Sequence, residues 1–577
     1  MKKTKWFLLL VLGLVLSMFL AACGGDDGDE NAGDDTGNEE QNEGENGEDE
    51  EKILRILESA EIPTMDPSLA TDVVALNFID ATYEGLYRVA PGGEIVSGLA
   101  NKDETEVSED GLTWTFHLRD DATWSNGEPV TAHDFVYSWR RAIDPETGSQ
   151  YGPYFFSGLV KNATEISATD EDGNPLYPDM FGKVEELGVT AVDDYTLQVE
   201  LVNPAPYFES FAAFPVFVPL NEEFVESQGE NFALEVENMI FNGPFVMTEW
   251  KHEESWTLEK NPDYWDAENV GLDGIEVSVV KERSTAVNLY ESGEVDRVGL
   301  SGDFIDQYKT RPDYGTAMEP VTFYLQFNRE SAEKAEYMNN ENFRRALATG
   351  FSKQEFIDVV YKNDSVPANG LVPKEFVKHP ETGEDFRDLS GDHLVSDIEG
   401  AQEAWEKAKE ELGFDEVTIT FMSGDTETSK LTTEFFKDQW ENNLPGLTVE
   451  LKNVPFKERL RLSREGLFEV VFSGWGPDYL DPMTFMDLFV TDGSYNDGSY
   501  SNEQFDELIE LAKTEYAQDQ NKRWEAMVQA EQILMDEVGI GPVFQRARSF
   551  LQQPYVKNME LNPFGPDFSF KYVTIEK

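Results

Sequence analysis

The chain has 577 residues, with 114 Asp or Glu against 45 Lys or Arg, for a formal net charge of −69. So negative a chain excludes nucleic acid as a partner, because phosphate binding needs cationic surface to release counterions. A single cysteine excludes an internal disulfide, so the fold must rely on packing.

Lys2, Lys3 and Lys5 precede an almost wholly apolar run from Trp6 to Ala22, which closes on Leu20-Ala21-Ala22-Cys23 and Gly24-Gly25. A cationic start, an apolar stretch and small residues at the cut describe a secretory signal that is removed. Residues 1–22 are read as that signal. The last four residues resemble the lipobox of bacterial lipoproteins, in which the cysteine thiol carries a diacylglyceryl group. On that reading Cys23 is the lipidation site and holds the chain at the outer face of the cell membrane, in a Gram-positive-type bacterium. Each buried methylene then adds about 0.8 kcal/mol to the attachment. The alternative is a transmembrane anchor, for which a run of 17 residues is at the short limit.

Residues 24–52 hold 14 Asp or Glu, one Lys, and no aromatic or large aliphatic residue. Such a segment buries too little surface to offset its ordering entropy, and its like charges extend it. We read 23–52 as the lipidated cysteine and a disordered acidic tether; the alternative is a cation-binding tail. The body, 53–577, is long enough for two or three core-forming units. It carries 100 acidic and 41 basic residues, a net charge of −59. Such a charge repels itself and is screened over about 3 Å only at molar salt. The composition therefore points to a halophile or an alkaline habitat, and to stability lost at low salt.

Residues 112–118 alternate apolar and polar, as a strand does. Ser125-Asn126-Gly127 is a turn. Thr131 and Asp134 form a capping box with Val130 and Phe135 as its hydrophobic staple, so a helix is expected over about 132–143, before Asp144-Pro145. Ser352 and Glu355 repeat the device with Phe351 and Phe356. Residues 397–412 read as an amphipathic helix closed by Gly413. Strand patterns at 417–421, 447–451 and 468–472 alternate with helical patterns at 429–442 and 456–465. That order implies a mostly parallel sheet, with ligand beyond the carboxyl ends of its strands. The residues expected to leave the last strand are Ser473-Gly474-Trp475-Gly476-Pro477-Asp478-Tyr479. Two glycines, a flat Trp wall and a charge suit a ligand site, and they equally suit an ordinary loop with a core Trp and a turn-forming Asp.

Catalytic chemistry is not evident. Five histidines make no His-Glu-x-x-His pair, and no Ser sits in a nucleophile elbow. Asp170-Glu-Asp172-Gly-Asn174 faintly resembles a calcium loop, but Phe181 stands where the last ligand belongs, so we read a hairpin turn. The expectation is a binder, not an enzyme, without cofactor or metal.

Several collinear segments resemble the oligopeptide-binding proteins of ABC importers, the extracellular solute-binding proteins of family 5, of the peptide and nickel type. They are Tyr83–Tyr87, Trp124–Arg141 with Asp144-Pro145, Asn242–Phe245, Lys260–Trp265, Leu289–Glu294, and Gly474-Trp475 through Asp478–Pro482. The resemblance spans nearly all of 53–577. It implies an α/β, two-lobed clamp of the periplasmic-binding-protein kind (type II, with mixed sheets and flanking helices). Lobe 1 would be 53–350, with an extra subdomain at about 84–200. Lobe 2 would be 351–545, and 546–577 would return to lobe 1. Peptide would lie between the lobes and be handed to the membrane permease subunits of an importer, the receptor itself being a monomer. Residue by residue, Asp478 matches the partner of the peptide α-ammonium. Gly474, Trp475 and Gly476 match the run that pairs with the peptide backbone. Thr71 and Val73 match the facing edge on lobe 1, and Tyr151 matches a pocket tyrosine. The segment 124–141 matches a mostly structural signature. Basic residues that fix a peptide carboxylate in some members have no clear equivalent, Phe472 and Ser463 or Arg464 occupying their places, which suits variable, longer peptides. Arg459, Arg461 and Arg464 read as a solvated helix face. The same scaffold also serves other solutes, such as oligosaccharides or metal chelates, and a surface hydrolase or adhesin is the remaining alternative.

Overall fold

The computed structural model describes residues 51–577 apart from 171, 172, 206 and 332. The signal segment, Cys23 and the acidic tether to residue 50 lie outside the described residues. No helix among the described residues is long and apolar enough to cross a membrane.

Three sheets organise the body. The first opens with Ile53–Glu58, whose Leu54 and Ile56 point into the core. This strand runs parallel to Gly274–Val279, which pairs antiparallel with Ser255–Lys260 and, through it, with Phe245–Lys251. Helix Val73–Thr82 packs on this sheet, with Phe78 edge-on to Trp256 at 5.0 Å between ring centroids. The second sheet is antiparallel and holds Glu106–Val107, Thr113–His117, Thr196–Glu200 and Val189–Asp193 in that order.

Helix Ala132–Ile143 lies against the second sheet. Its start follows the expected box: Asp134 accepts the Thr131 backbone N–H at 2.7 Å, while Val130 and Phe135 are buried. The rest of the 124–141 segment is structural as well. Trp139 Nε1 donates to the Phe217 carbonyl at 3.0 Å, and Arg141 grips Asp66 with two hydrogen bonds, at 2.8 and 2.7 Å.

The third sheet has seven strands, and its main path runs Arg297–Leu300, Ile540–Gln552, Tyr314–Phe327, Val470–Trp475, Val417–Gly424, Leu447–Val454. The expected β-α-β-α-β unit is present, with helices Glu427–Asn443 and Phe456–Arg464 between its strands. Only those three strands are mutually parallel. The remaining pairs along the path are antiparallel, so the sheet is mixed and the expectation of a mostly parallel one is corrected. The antiparallel half is built from strands far away in sequence, which local periodicity does not reveal. Thr322–Phe327 pair with Val470–Trp475, so the chain joins this sheet before residue 350.

Two strands run the length of the third sheet. Tyr314–Met318 pair with the 547–551 stretch of Ile540–Gln552, and Thr322–Gln326 with its 540–545 stretch; the register breaks between Met318 and Thr322. Helix Ile398–Leu412 ends as expected at Gly413, whose φ of 73° is a left-handed conformation that glycine adopts without Cβ strain. Ser352 Oγ accepts the Glu355 N–H at 3.1 Å, but that helix is only Lys353–Phe356 and continues as a π-helical turn to Tyr361.

Candidate functional site

One cavity of about 900 Å³ is lined by all seven predicted ligand-contacting residues: Thr71, Val73, Tyr151, Gly474, Trp475, Gly476 and Asp478. Strand Val470–Trp475 forms part of its wall. Contrary to the sequence reading, Ser473 to Trp475 have not left the strand. They pair with Thr322–Tyr324 on one side. On the other side the strand meets Val417–Gly424 only at Val470 and Val471, so the edge from Ser473 to Trp475 is open. Gly474 has a packing reason as well: a Cβ there would stand 2.7 Å from the Phe323 ring.

Beyond the strand, the chain turns so that Asp478 points into the protein. Its backbone N–H donates to Thr484 Oγ1 at 3.0 Å. Three residues on, Asp481 accepts two hydrogen bonds from Arg523 of helix Gln520–Asp536, at 2.6 and 2.8 Å. Tyr479 packs edge-on against Phe211 at 4.6 Å between centroids. The Asp478-to-Pro482 motif thus divides its labour: Asp481 and Tyr479 fix the loop, and Asp478 faces the cavity.

Tyr151 opens helix Tyr151–Phe156 and donates its hydroxyl to Asp478 Oδ1 at 3.0 Å. Trp475, Tyr495, Tyr151 and Tyr154 surround the carboxylate as an aromatic box, with Trp475 and Tyr495 4.7 Å apart and Tyr151 and Tyr495 5.2 Å apart. Asp478 is 4 % exposed. Its Oδ2 and the Trp475 Nε1 are buried with no hydrogen-bond partner among the described residues. Burial pushes the Asp478 carboxyl well above its ordinary range, against the pull of the Tyr151 and Tyr154 hydroxyls. A buried carboxylate with a free oxygen is costly unless a cation or donor meets it. The site is therefore suited to a ligand that brings a positive, hydrogen-bonding group.

The facing edge differs from expectation. Val73 is the first residue of helix Val73–Thr82, and Thr71 lies in an irregular segment, so no strand edge exists there. Asp72 between them caps the helix by accepting the Ala75 N–H at 3.1 Å, and burial pushes its carboxyl up to about 6.

The reading of Arg459, Arg461 and Arg464 as one solvated face holds for Arg461 and Arg464, which are exposed, and is corrected for Arg459. Arg461 is exposed and pairs with Glu458 at 2.7 Å and with Glu465. Arg459 is half-buried and lines the cavity with Phe456, Leu460 and Ser463, and the exposed Arg464 lines it as well. Spacing three and four residues apart puts these side chains on one helix face, a pattern visible in the sequence but carrying no sign of which way the face points. Sequence reading also missed Tyr495, Asp497 and Glu58 on the cavity wall. Burial pushes the carboxyls of Asp497 and Glu58 up to about 7.

Contacts bridge the cavity around Tyr151. Gln150 Nε2 donates to the Ser494 carbonyl at 2.8 Å, and Ser494 Oγ donates back to the Gln150 carbonyl at 3.0 Å. Lys281, just past the first sheet, donates to Asp425 Oδ2 at the end of Val417–Gly424, at 2.9 Å. Among the described residues no group of three or more His, Cys, Asp or Glu is placed to hold a metal ion.

Residues 94–497 match the family model for bacterial extracellular solute-binding proteins, family 5 (middle region). The chain belongs to that family. The matched region contains the strand, the Asp478 loop and Tyr151, and leaves out Thr71 and Val73. Among curated proteins, the dipeptide-binding protein of Lactococcus lactis is 32 % identical over 542 residues, covering 91 % of this chain and 95 % of the relative. Among solved structures, Listeria monocytogenes OppA bound to peptide superposes with a TM-score of 0.86 at 45 % identity, over 92 % of this chain and 100 % of that one. The substrate-binding domain of an oligopeptide ABC transporter from Bacillus anthracis gives 0.86 at 40 % identity, over 92 % and 99 %. The family fold is the two-lobed α/β clamp, and its members are extracellular binding proteins.

Proposed function

We propose that the chain is the receptor of a peptide importer, and that it captures oligopeptides by their backbone and free amino end. The observation that carries this reading is the buried Asp478 carboxylate, with one oxygen unpaired, in an aromatic box beside an open strand edge. The α-ammonium of a peptide meets Asp478, and its first residues extend along Ser473 to Gly476. Main-chain pairing is the same for every sequence, so such a site binds broadly. Arg459 and Arg464 give the cavity positive charge for the peptide's carboxylate end. The names of the relatives support peptide as the ligand and an ABC importer as the partner.

The lobes close about the two long strands, at the register break between Met318 and Thr322 and at the facing 545–547 stretch. Lobe 1 then holds the first sheet, with the second sheet in the extra subdomain at about 84–200. Lobe 2 holds the wide part of the third sheet. On this reading the first crossing lies near 320, not at the expected 350, and the second near 545. The receptor acts as a monomer, performs no catalysis, and is held at the outer membrane face through a diacylglyceryl group on Cys23 by the tether 24–52. A mature N-terminus with a free Cys23 thiol would remove the anchor.

The deciding experiment is titration calorimetry with a peptide and its N-acetylated form. Removing the ammonium should weaken binding by about 100-fold, the worth of a buried charge-assisted hydrogen bond at about 3 kcal/mol. Equal binding of the two forms, or co-purification of a sugar or a metal chelate in place of peptide, would sink the reading.

A further inference from the structure

The main cavity does not end at the helix Phe456–Arg464. A second cavity of about 350 Å³ adjoins it, and Arg464 and Asp497 line both. Every residue lining the second cavity is polar, charged or glycine. Its walls are firm: Asn328 Nδ2 donates to the carbonyls of Gly466 and Phe468 at 2.7 and 2.9 Å, and Asn496 Nδ2 to those of Val490 and Tyr500 at 3.0 and 2.6 Å.

The junction between the two cavities is chemically unusual. The Arg464 guanidinium lies within electrostatic reach of the Asp497 carboxylate there and draws its carboxyl down. Yet among the described residues the two make no ion pair within 4.0 Å. Burial also holds the Asp497 carboxyl up at about 7, against the pull of Arg459 and Arg464. A gap flanked by a donor and an acceptor matches a peptide unit, whose carbonyl meets the arginine and whose N–H meets the aspartate.

We infer that the second cavity is an extension subsite, which receives the C-terminal residues of peptides too long for the main cavity, with Arg464 and Asp497 flanking the main chain as it passes between them. The inference rests on the peptide reading above, with the amino end fixed at Asp478. The polar walls assign it polar or charged side chains and a hydrated backbone, because no apolar surface is there to reward a hydrophobic residue. Ligand length is then set by an exit and not by a closed end.

The test pairs a tripeptide with a decapeptide that shares its first residues. Both are titrated into the full chain and into Glu330→Trp, which places a bulky ring at the mouth of the second cavity from an exposed position. The decapeptide should bind the variant about tenfold more weakly, a loss of about 1.4 kcal/mol, while the tripeptide binds both proteins alike. Equal decapeptide affinity, or an equal loss for both peptides, overturns the subsite. Failure of both peptides to bind the unaltered chain overturns the peptide reading itself, and the subsite with it. A decapeptide carrying a photoreactive group at its C-terminus tests the placement without any variant. Crosslinks to 464–466 or 493–499 are expected, and crosslinks confined to other segments overturn it.

Discussion

Tyr151 and Asp478 stand 327 positions apart in the chain, and the hydroxyl of one donates to the buried carboxylate of the other at 3.0 Å. The contact satisfies one carboxylate oxygen and leaves the second without a partner. A ligand ammonium has that second oxygen to itself, in surroundings where water competes poorly.

Replacing Asp478 with Ala should therefore weaken peptide binding by about 3 kcal/mol or more, because the ammonium would be buried unpaired. The same change should leave the melting temperature of the empty protein unchanged or raised, since it removes an unpaired buried carboxylate. Titration calorimetry beside a thermal melt separates the two effects, and unchanged affinity would take Asp478 out of the site.

The cavity carboxyls make the empty protein sensitive to pH. Asp72, Asp497 and Glu58 are raised to between about 6 and about 7 by burial. The folded state holds these protons more tightly than the unfolded chain does. Their contribution to stability is full below the unfolded values near pH 4 and is lost as pH rises through about 7. The empty protein should melt at a higher temperature at pH 5 than at pH 8. The combined Asp497→Asn and Glu58→Gln variant should show a shallower dependence, and an unchanged slope would contradict the assignment.

Peptide binding should depend on pH in the opposite sense. Asp478 must lose its proton to meet an ammonium, so affinity climbs with pH through the raised carboxyl value. It falls again above about pH 8, where an α-amino group loses its own proton. Calorimetry across that range should give a bell-shaped curve, whereas an N-acetylated peptide should give none.

Lys281 and Asp425 join elements on either side of the cavity through a partly exposed ion pair. Such a pair is worth up to about 1 kcal/mol. Lys281→Ala should speed peptide release by up to about fivefold in stopped-flow measurements. A release rate that does not move would mean that the pair plays no part in holding the clamp shut.

The net charge of −69 sets a further expectation. Self-repulsion is screened by salt, so the melting temperature should rise between low and molar salt. A melting temperature indifferent to salt would refute a charge-strained fold.

Local chemistry made much of this legible in the sequence. The Thr131–Asp134 box marked its helix to the residue, Gly413 marked another end, and alternation exposed the three parallel strands. What stayed hidden depends on partners distant in the chain. The pairing of Thr322–Phe327 with Val470–Trp475 made the sheet mixed and kept Trp475 within a strand, and no window of residues around 470 contains that information. Val73 was matched to an extended edge, whereas Asp72 caps a helix that starts there; the Asp at that position was the overlooked signal. Phe456, Arg459, Leu460, Ser463 and Arg464 together have helical spacing, but whether such a face meets solvent or a cavity is settled by the elements that pack above it.

The fork between Arg523 and Asp481 clamps the turn carrying Asp478 to a 17-residue helix before any ligand arrives. The anchoring carboxylate is thus preorganised, and capture spends little conformational entropy on ordering it. Weak contacts elsewhere along a ligand can then suffice. A protein built this way tolerates wide variation in every ligand residue after the first, because the costliest part of recognition has been settled during folding.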